Sequence, residues 1–156
     1  MTKKYELVLD DTISFWGWKL FRIRALISFG SVEVGDLGGY IQKEENLSHD
    51  DNAWVSGNAK VWGDAEVWGN AKVWGDAEVS GNAKVSELGD IIVFKNHWSS
   101  GRHFTYTKSN KTWKVGCFHG TGQELIEKAY RDSEKSGNHY KAYVDFVESL
   151  EKLDDQ

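Results

Sequence analysis

Residues 52–87 read NAWVSG NAKVWG DAEVWG NAKVWG DAEVSG NAKVSE, six consecutive units of the form Asn/Asp-Ala-x-Val-x-Gly, the last without its glycine. A fixed six-residue period means that one short strand and one tight corner recur in each unit, and such a repeat must be read before anything else. Counting from the valine, the branched aliphatics are Val55, Val61, Val67, Val73, Val79 and Val85. The small residue follows four positions later, at Ala59, Ala65, Ala71, Ala77 and Ala83. The valine is expected to point inward. The alanine fits beside the corner, where nothing larger packs, and Gly with Asn/Asp accepts the corner's backbone angles.

This pattern resembles the hexapeptide repeat of left-handed parallel β-helices. In that family three strands make one coil, so a coil spans roughly eighteen residues. The resemblance implies that Lys60 lies over Glu78, Glu66 over Lys84 and Trp54 over Lys72. Opposite charges on neighbouring rungs stabilise by about 0.2–1 kcal/mol each and pin the register, and a lysine over an indole adds a cation–π contact. Trp62, Trp68 and Trp74 each follow an inward valine and so point outward, on three successive faces. An indole offers roughly 150–250 Å² for burial, so another subunit, a flanking segment or a ligand is expected to cover each one. We assign the three to an oligomer interface. A homo-oligomer is expected, a trimer first and a dimer second.

At 156 residues the chain is one compact unit or two small ones. The repeat makes only about two coils, too few to stand without cover at both ends. Apolar residues at 40% and aromatics at 13% exclude a disordered chain. The net charge of −5 does not suit a general nucleic-acid coat protein. A single cysteine, Cys117, points to a reducing compartment. No signal peptide or membrane span is read, so the expected location is cytoplasmic, in a host cell, with no membrane partner.

Three regions follow: an N-terminal β cap over 1–38, the hexapeptide-repeat β-helix over 39–88, and a β-meander with two helices over 89–156. In the first, Tyr5, Leu7 and Leu9 alternate, Asp10-Asp11-Thr12 reads as a turn, and Phe15 to Leu26 reads as a second strand run. A hairpin there blocks edge-to-edge association. GDLGG at 35–39 reads as a flexible lead-in. Ile41 and Leu47 begin an irregular first coil, and the gap to Val55 implies a small loop near Ser48-His49-Asp50-Asp51. In the last region, Ile91 to Trp98, Arg102 to Lys108 and Thr112 to Phe118 read as strands. Thr121 and Glu124 form a capping box. Ser136-Gly137-Asn138 reads as the end of that helix, and a final helix carries Tyr140, Tyr143, Val144, Val147 and Leu150. The fold class is therefore mainly β, with a short left-handed parallel β-helix and a small α/β tail.

Charge concentrates between Gly89 and Gly120, where five basic residues face one acid, Asp90. Aromatics and histidines are interleaved, and a glycine-flanked helix start follows. A helix N-terminus with free N–H groups attracts anions. The candidate ligand-binding set is Lys95, His97, Arg102, His103, Tyr106, Lys114, His119, Gly120, Thr121 and Gly122, matched to a nucleotide-derived small molecule. The competing reading is a solvated basic face whose Gly-Thr-Gly only caps a helix. GCFHGTGQE lacks the Lys-Ser/Thr pair of a Walker loop. No spacing matches a zinc site, and His49-Asp50-Asp51 reads as a loop turn. Cys117 and His119 share a strand face but lack a visible orienting third group. No catalytic residue, metal or cofactor is assigned.

Hexapeptide β-helices include acyltransferases, which use a histidine base near a coil loop; the six units here contain no histidine. The DAEVWG/NAKVWG units, the opening KYELVLDD…FRIRAL…GDLGGYIQKEENLSHDDNAWVSGNAKV and the ending WKVGCFHGTGQELIEKAY are instead similar to small hexapeptide-repeat proteins of phages and prophages. That resemblance implies a non-catalytic binding protein, an anti-defence protein that sequesters a nucleotide-derived anionic signal. The alternatives are a protein–protein inhibitor of a host defence complex and a hexapeptide-repeat acyltransferase.

Overall fold

The structure is a computed structural model and describes residues 3–15 and 17–155. Each repeat unit contributes one two-residue strand ending in its valine: β4 (Trp54–Val55), β5 (Lys60–Val61), β6 (Glu66–Val67), β7 (Lys72–Val73), β8 (Glu78–Val79) and β9 (Lys84–Val85). These pair in parallel three units apart, β4 with β7, β5 with β8 and β6 with β9, so the offset is eighteen residues. The three pairs belong to three different sheets. All the repeat's valines and alanines are buried in one core. The corner glycines Gly57, Gly63, Gly69, Gly75 and Gly81 take φ between +62° and +69°, a region closed to most side chains. The stack begins earlier, with Ile41 opposite Val61 and Leu47 opposite Val67. Those offsets are twenty residues, and the loop expected near 48–51 takes up the surplus.

Two antiparallel strands, β1 (Tyr5–Phe15) and β2 (Trp18–Ala25), form the N-terminal hairpin. β2 pairs antiparallel with β3 (Leu37–Ile41), which pairs in parallel with β5. Asp10-Asp11-Thr12 is not a turn: β1 continues through it, and the ladder absorbs a register shift between Val8 and Thr12. Trp16, within the second expected run, lies outside the described residues. Gly38 and Gly39 are not a flexible lead-in either. Both are buried in β3, where a Cβ on Gly38 would meet the Val55 carbonyl at 2.5 Å and one on Gly39 the Ala59 carbonyl at 2.6 Å. Close backbone approach explains this glycine pair.

The hairpin covers Trp62. Leu20, Tyr40 and Trp62 form a small core with Ile13 and Phe15, and the Phe15 ring meets the Trp62 indole edge-on at 5.2 Å. Trp62 is only 5% exposed, so it is cover within the chain and not an oligomer contact. Lys4 closes the other edge of β4. Its buried ammonium donates to the carbonyls of Asp51 (3.0 Å) and Ala53 (2.5 Å), facing the Asp51 carboxylate at 3.6 Å.

After the repeat comes an antiparallel sheet of β10 (Ile91–Lys95), β11 (His103–Thr107), β12 (Thr112–Val115) and β13 (Phe118–Gly120). The third expected strand is thus two, split at Gly116 (φ +57°). Helices α1 (Gly122–Asp132) and α2 (Glu134–Asp154) pack on one face around Phe104, Trp113, Leu125, Tyr140 and Val144. The break between them falls earlier than Ser136-Gly137-Asn138: Ser133 caps α2, accepting from the Ser136 N–H at 3.0 Å. The other face of the sheet roofs the stack. The Glu78 N–H donates to the Thr105 hydroxyl (3.0 Å), the Lys84 N–H to the Ser109 hydroxyl (2.8 Å), and Ile91 joins the valine core. No helix among the described residues is long and apolar enough to cross a membrane.

Candidate binding site

The sheet face carried by β4 and β7 is covered over Trp54 and open over β7. There the outward positions of two rungs lie one above the other: Asn52 with Asn70, Trp54 with Lys72, Ser56 with Trp74. The 29–37 loop, held by the Phe29–Val32 bridge, forms one wall, and Leu88 forms the other. They enclose a groove of about 580 Å³, within the ordinary size of a ligand site. Its floor is the Trp54 indole, 7% exposed and wedged edge-on against Phe29 at 5.3 Å. Its rim is apolar, with Leu37, Trp74 and Leu88 exposed to 54%, 57% and 61%. Lys72 and Asp36 supply one charge of each sign. Lys72 stands opposite Trp54 in the ladder as expected, but no cation–π contact joins them among the described residues.

The ten sequence-predicted ligand residues do not meet in one cavity, and most are occupied. Lys95 is exposed at the end of β10, opposite His103. His97 is exposed beside Trp98 and His139, ring centres 5.3 and 5.7 Å away. The Arg102 guanidinium lies over Gly116. His103 Nδ1 is 3.1 Å from the Asp76 carboxylate. Tyr106 is buried and donates to Glu151; burial first, and that contact second, pushes its phenol well above the usual range. Lys114 is buried too. It donates to the Gly116 carbonyl and sits 3.5 Å from Glu78. Burial lowers the Lys114 pKa and raises that of Glu78, each opposed by the other's charge.

At the start of α1 the capping box closes on itself. The Glu124 N–H bonds the Thr121 hydroxyl (3.2 Å), and the Thr121 N–H bonds the Glu124 carboxylate (2.9 Å). That backbone hydrogen bond, chiefly, holds the Glu124 carboxyl below its usual range. A carboxylate therefore already sits where an anion was expected. Of the ten, Lys114 and His119 border one cavity of about 460 Å³, together with Cys117 and Trp62.

The groove's residues were missed because Leu37, Leu88 and Phe29 belong to segments with no period. The repeat itself offered two signals: the outward Trp74, read as an oligomer contact, and Lys72, placed above Trp54 by the eighteen-residue offset. Among the described residues no cluster of three or more His, Cys, Asp or Glu could hold a metal ion. Comparison with family models and with curated proteins finds no match to this chain.

Proposed function

We propose that this chain is a non-catalytic protein-binding protein of the phage hexapeptide-repeat type, folded around a short left-handed β-helix and acting in a host cytoplasm. Its binding surface is the groove beneath Trp74, and its action is that of a protein–protein inhibitor of a host defence complex. The observation that carries this reading is the exposed rim of Leu37, Trp74 and Leu88 around one concave surface, since contiguous exposed apolar area marks interaction sites. A homo-oligomer, trimer before dimer, now rests on Trp68 and Trp74. The test is affinity capture from host extract by the wild type and by a Trp74→Ser/Leu88→Ser variant with an unchanged melt. A partner lost on the variant supports the reading; an identical set of captured proteins sinks it.

The second reading keeps a nucleotide-derived anion as ligand but moves it to the groove, where Lys72 adjoins an exposed indole and the Asn70 amide. Stacking on an aromatic is worth about 1–3 kcal/mol per base. Calorimetry with mono-, di- and cyclic nucleotides decides: heat abolished by Lys72→Ala but not by Arg102→Ala would install this reading, and heat from none would remove it.

A further inference from the structure

The stack is roofed on two sides and open on the third. In a parallel ladder alternate N–H groups face the next rung, and here Trp54, Lys60 and Glu66 donate to Ala71, Ala77 and Ala83. Their equivalents in the last rung are Lys72, Glu78 and Lys84. The Glu78 and Lys84 N–H groups bond Thr105 and Ser109. The Lys72 N–H has no such partner among the described residues. The corners repeat the asymmetry. In the last rung a Cβ on Gly81 would meet Asn110, whereas one on Gly75, the corner after β7, would meet nothing within 4 Å.

We propose that an extended segment of a partner protein adds to β7 as its next strand. This inference rests on the protein-binding reading above and names the form in which the partner is bound. Unpaired strand edges recruit strands, and strand addition draws affinity from main-chain hydrogen bonds and specificity from alternate side chains. A second copy of the stack does not fit: Ile91 plugs the core and β11 lies over β8. A single strand, needing only about 4.7–4.9 Å, does. Lys72, exposed and without an ion pair among the described residues, faces an acidic residue of the segment. Two positions along, an apolar residue packs on Trp74 and Leu88. The residue between them points inward beside Val73 and is small.

The probe is a short random-peptide library selected on the full chain. Selected sequences are expected to carry an acidic and an apolar residue two apart. N-methylation along the best synthetic peptide should weaken binding roughly tenfold at alternate positions only, as expected for lost main-chain hydrogen bonds. Lys72→Pro, which removes an N–H the fold does not use, should weaken binding further than Lys72→Ala at equal melting temperature. Amide NMR signals of Lys72 and Trp74 should shift on binding. N-methyl effects without a period of two, or unmoved amides, overturn strand addition. If no peptide is selected while host-partner capture still depends on Trp74, strand addition fails and the groove reading stands. If capture is also independent of Trp74, both fall.

Discussion

Gly69 and Gly75 hold the same corner conformation, φ +68° and +62°, and differ only in what lies beyond them. An alanine at either carries the left-handed strain of about 1–2 kcal/mol. At Gly69 its Cβ would also stand 2.9 Å from the Ser86 carbonyl, while at Gly75 it meets open space. Gly69→Ala should therefore cost more than Gly75→Ala, by about 1 kcal/mol or more, in urea denaturation. Equal losses would mean that the end of the stack is not arranged as described. Single residues also explain why the basic stretch misled. In TWKV, at 112–115, alternation marks Trp113 as inward and Lys114 as outward. The outward face is pressed against the repeat, so Lys114 is buried opposite Glu78. Nothing local in the sequence records that second burial. Removing one partner of a buried pair strands the other, at a cost of about 3–5 kcal/mol. Glu78→Gln should approach that loss, and Glu78→Leu with Lys114→Met should recover most of it. A double variant as unstable as the single one would show that the pair adds net stability.

At the scale of elements, what was legible is what is local. The repeat's strands and corners, the first-coil loop and the Thr121–Glu124 box follow from spacing within a few residues of each site, whereas the eighteen-residue offset was what the resemblance to hexapeptide repeats implied. The helix boundary at 136–138 was misread because Ser-Gly-Asn resembles a stop, and glycine costs about 1 kcal/mol inside a helix. Glycine is there for space: a Cβ on Gly137 would run into the Tyr130 ring across the α1–α2 junction. Propensity alone forecasts that Gly137→Ala stabilises. Packing forecasts the opposite, and that is the expected outcome, with Tyr130→Ala/Gly137→Ala melting higher than Gly137→Ala. A stabilised single variant would return the boundary to a flexible turn. The cover of Trp62 and the acids that meet the basic strands are non-local. Asp154 and Glu151 reach Lys108 and Lys111 from forty or more positions away, and spacing carries no trace of such pairs.

The whole molecule joins a valine-alanine stack to an aromatic core through its roof, and titration and truncation both probe that union. Burial raises the phenol pKa of Tyr5, Tyr106 and Tyr140 and lowers the ammonium pKa of Lys4 and Lys114. The lysines give up protons in the folded state before the unfolded chain does at 10.5, so stability rises with pH up to that point. The tyrosines keep theirs after the unfolded chain loses them at 10.0, so stability falls beyond it. Chemical denaturation across alkaline pH should thus show a maximum near pH 10; a steady decline from neutral pH would mean the two lysines are solvated. Truncation asks what the roof is for. The N-terminal end of the stack is closed by the hairpin, β3 and the Lys4 ammonium. The other end is closed only by the C-terminal sheet, through Thr105, Ser109 and Ile91. A chain ending at residue 87 would expose the valine core and the N–H groups of Glu78 and Lys84 together, an edge that seeks another. Because the newly exposed end is the same on every copy, association through it has to close on itself, end against like end, and so doubles whatever assembly the full chain forms. Light scattering should find twice as many copies per assembly as in the full chain, with the β signal in circular dichroism retained. Fibres would mean that the hairpin does not close its end, and an unchanged copy number would mean that the roof is dispensable.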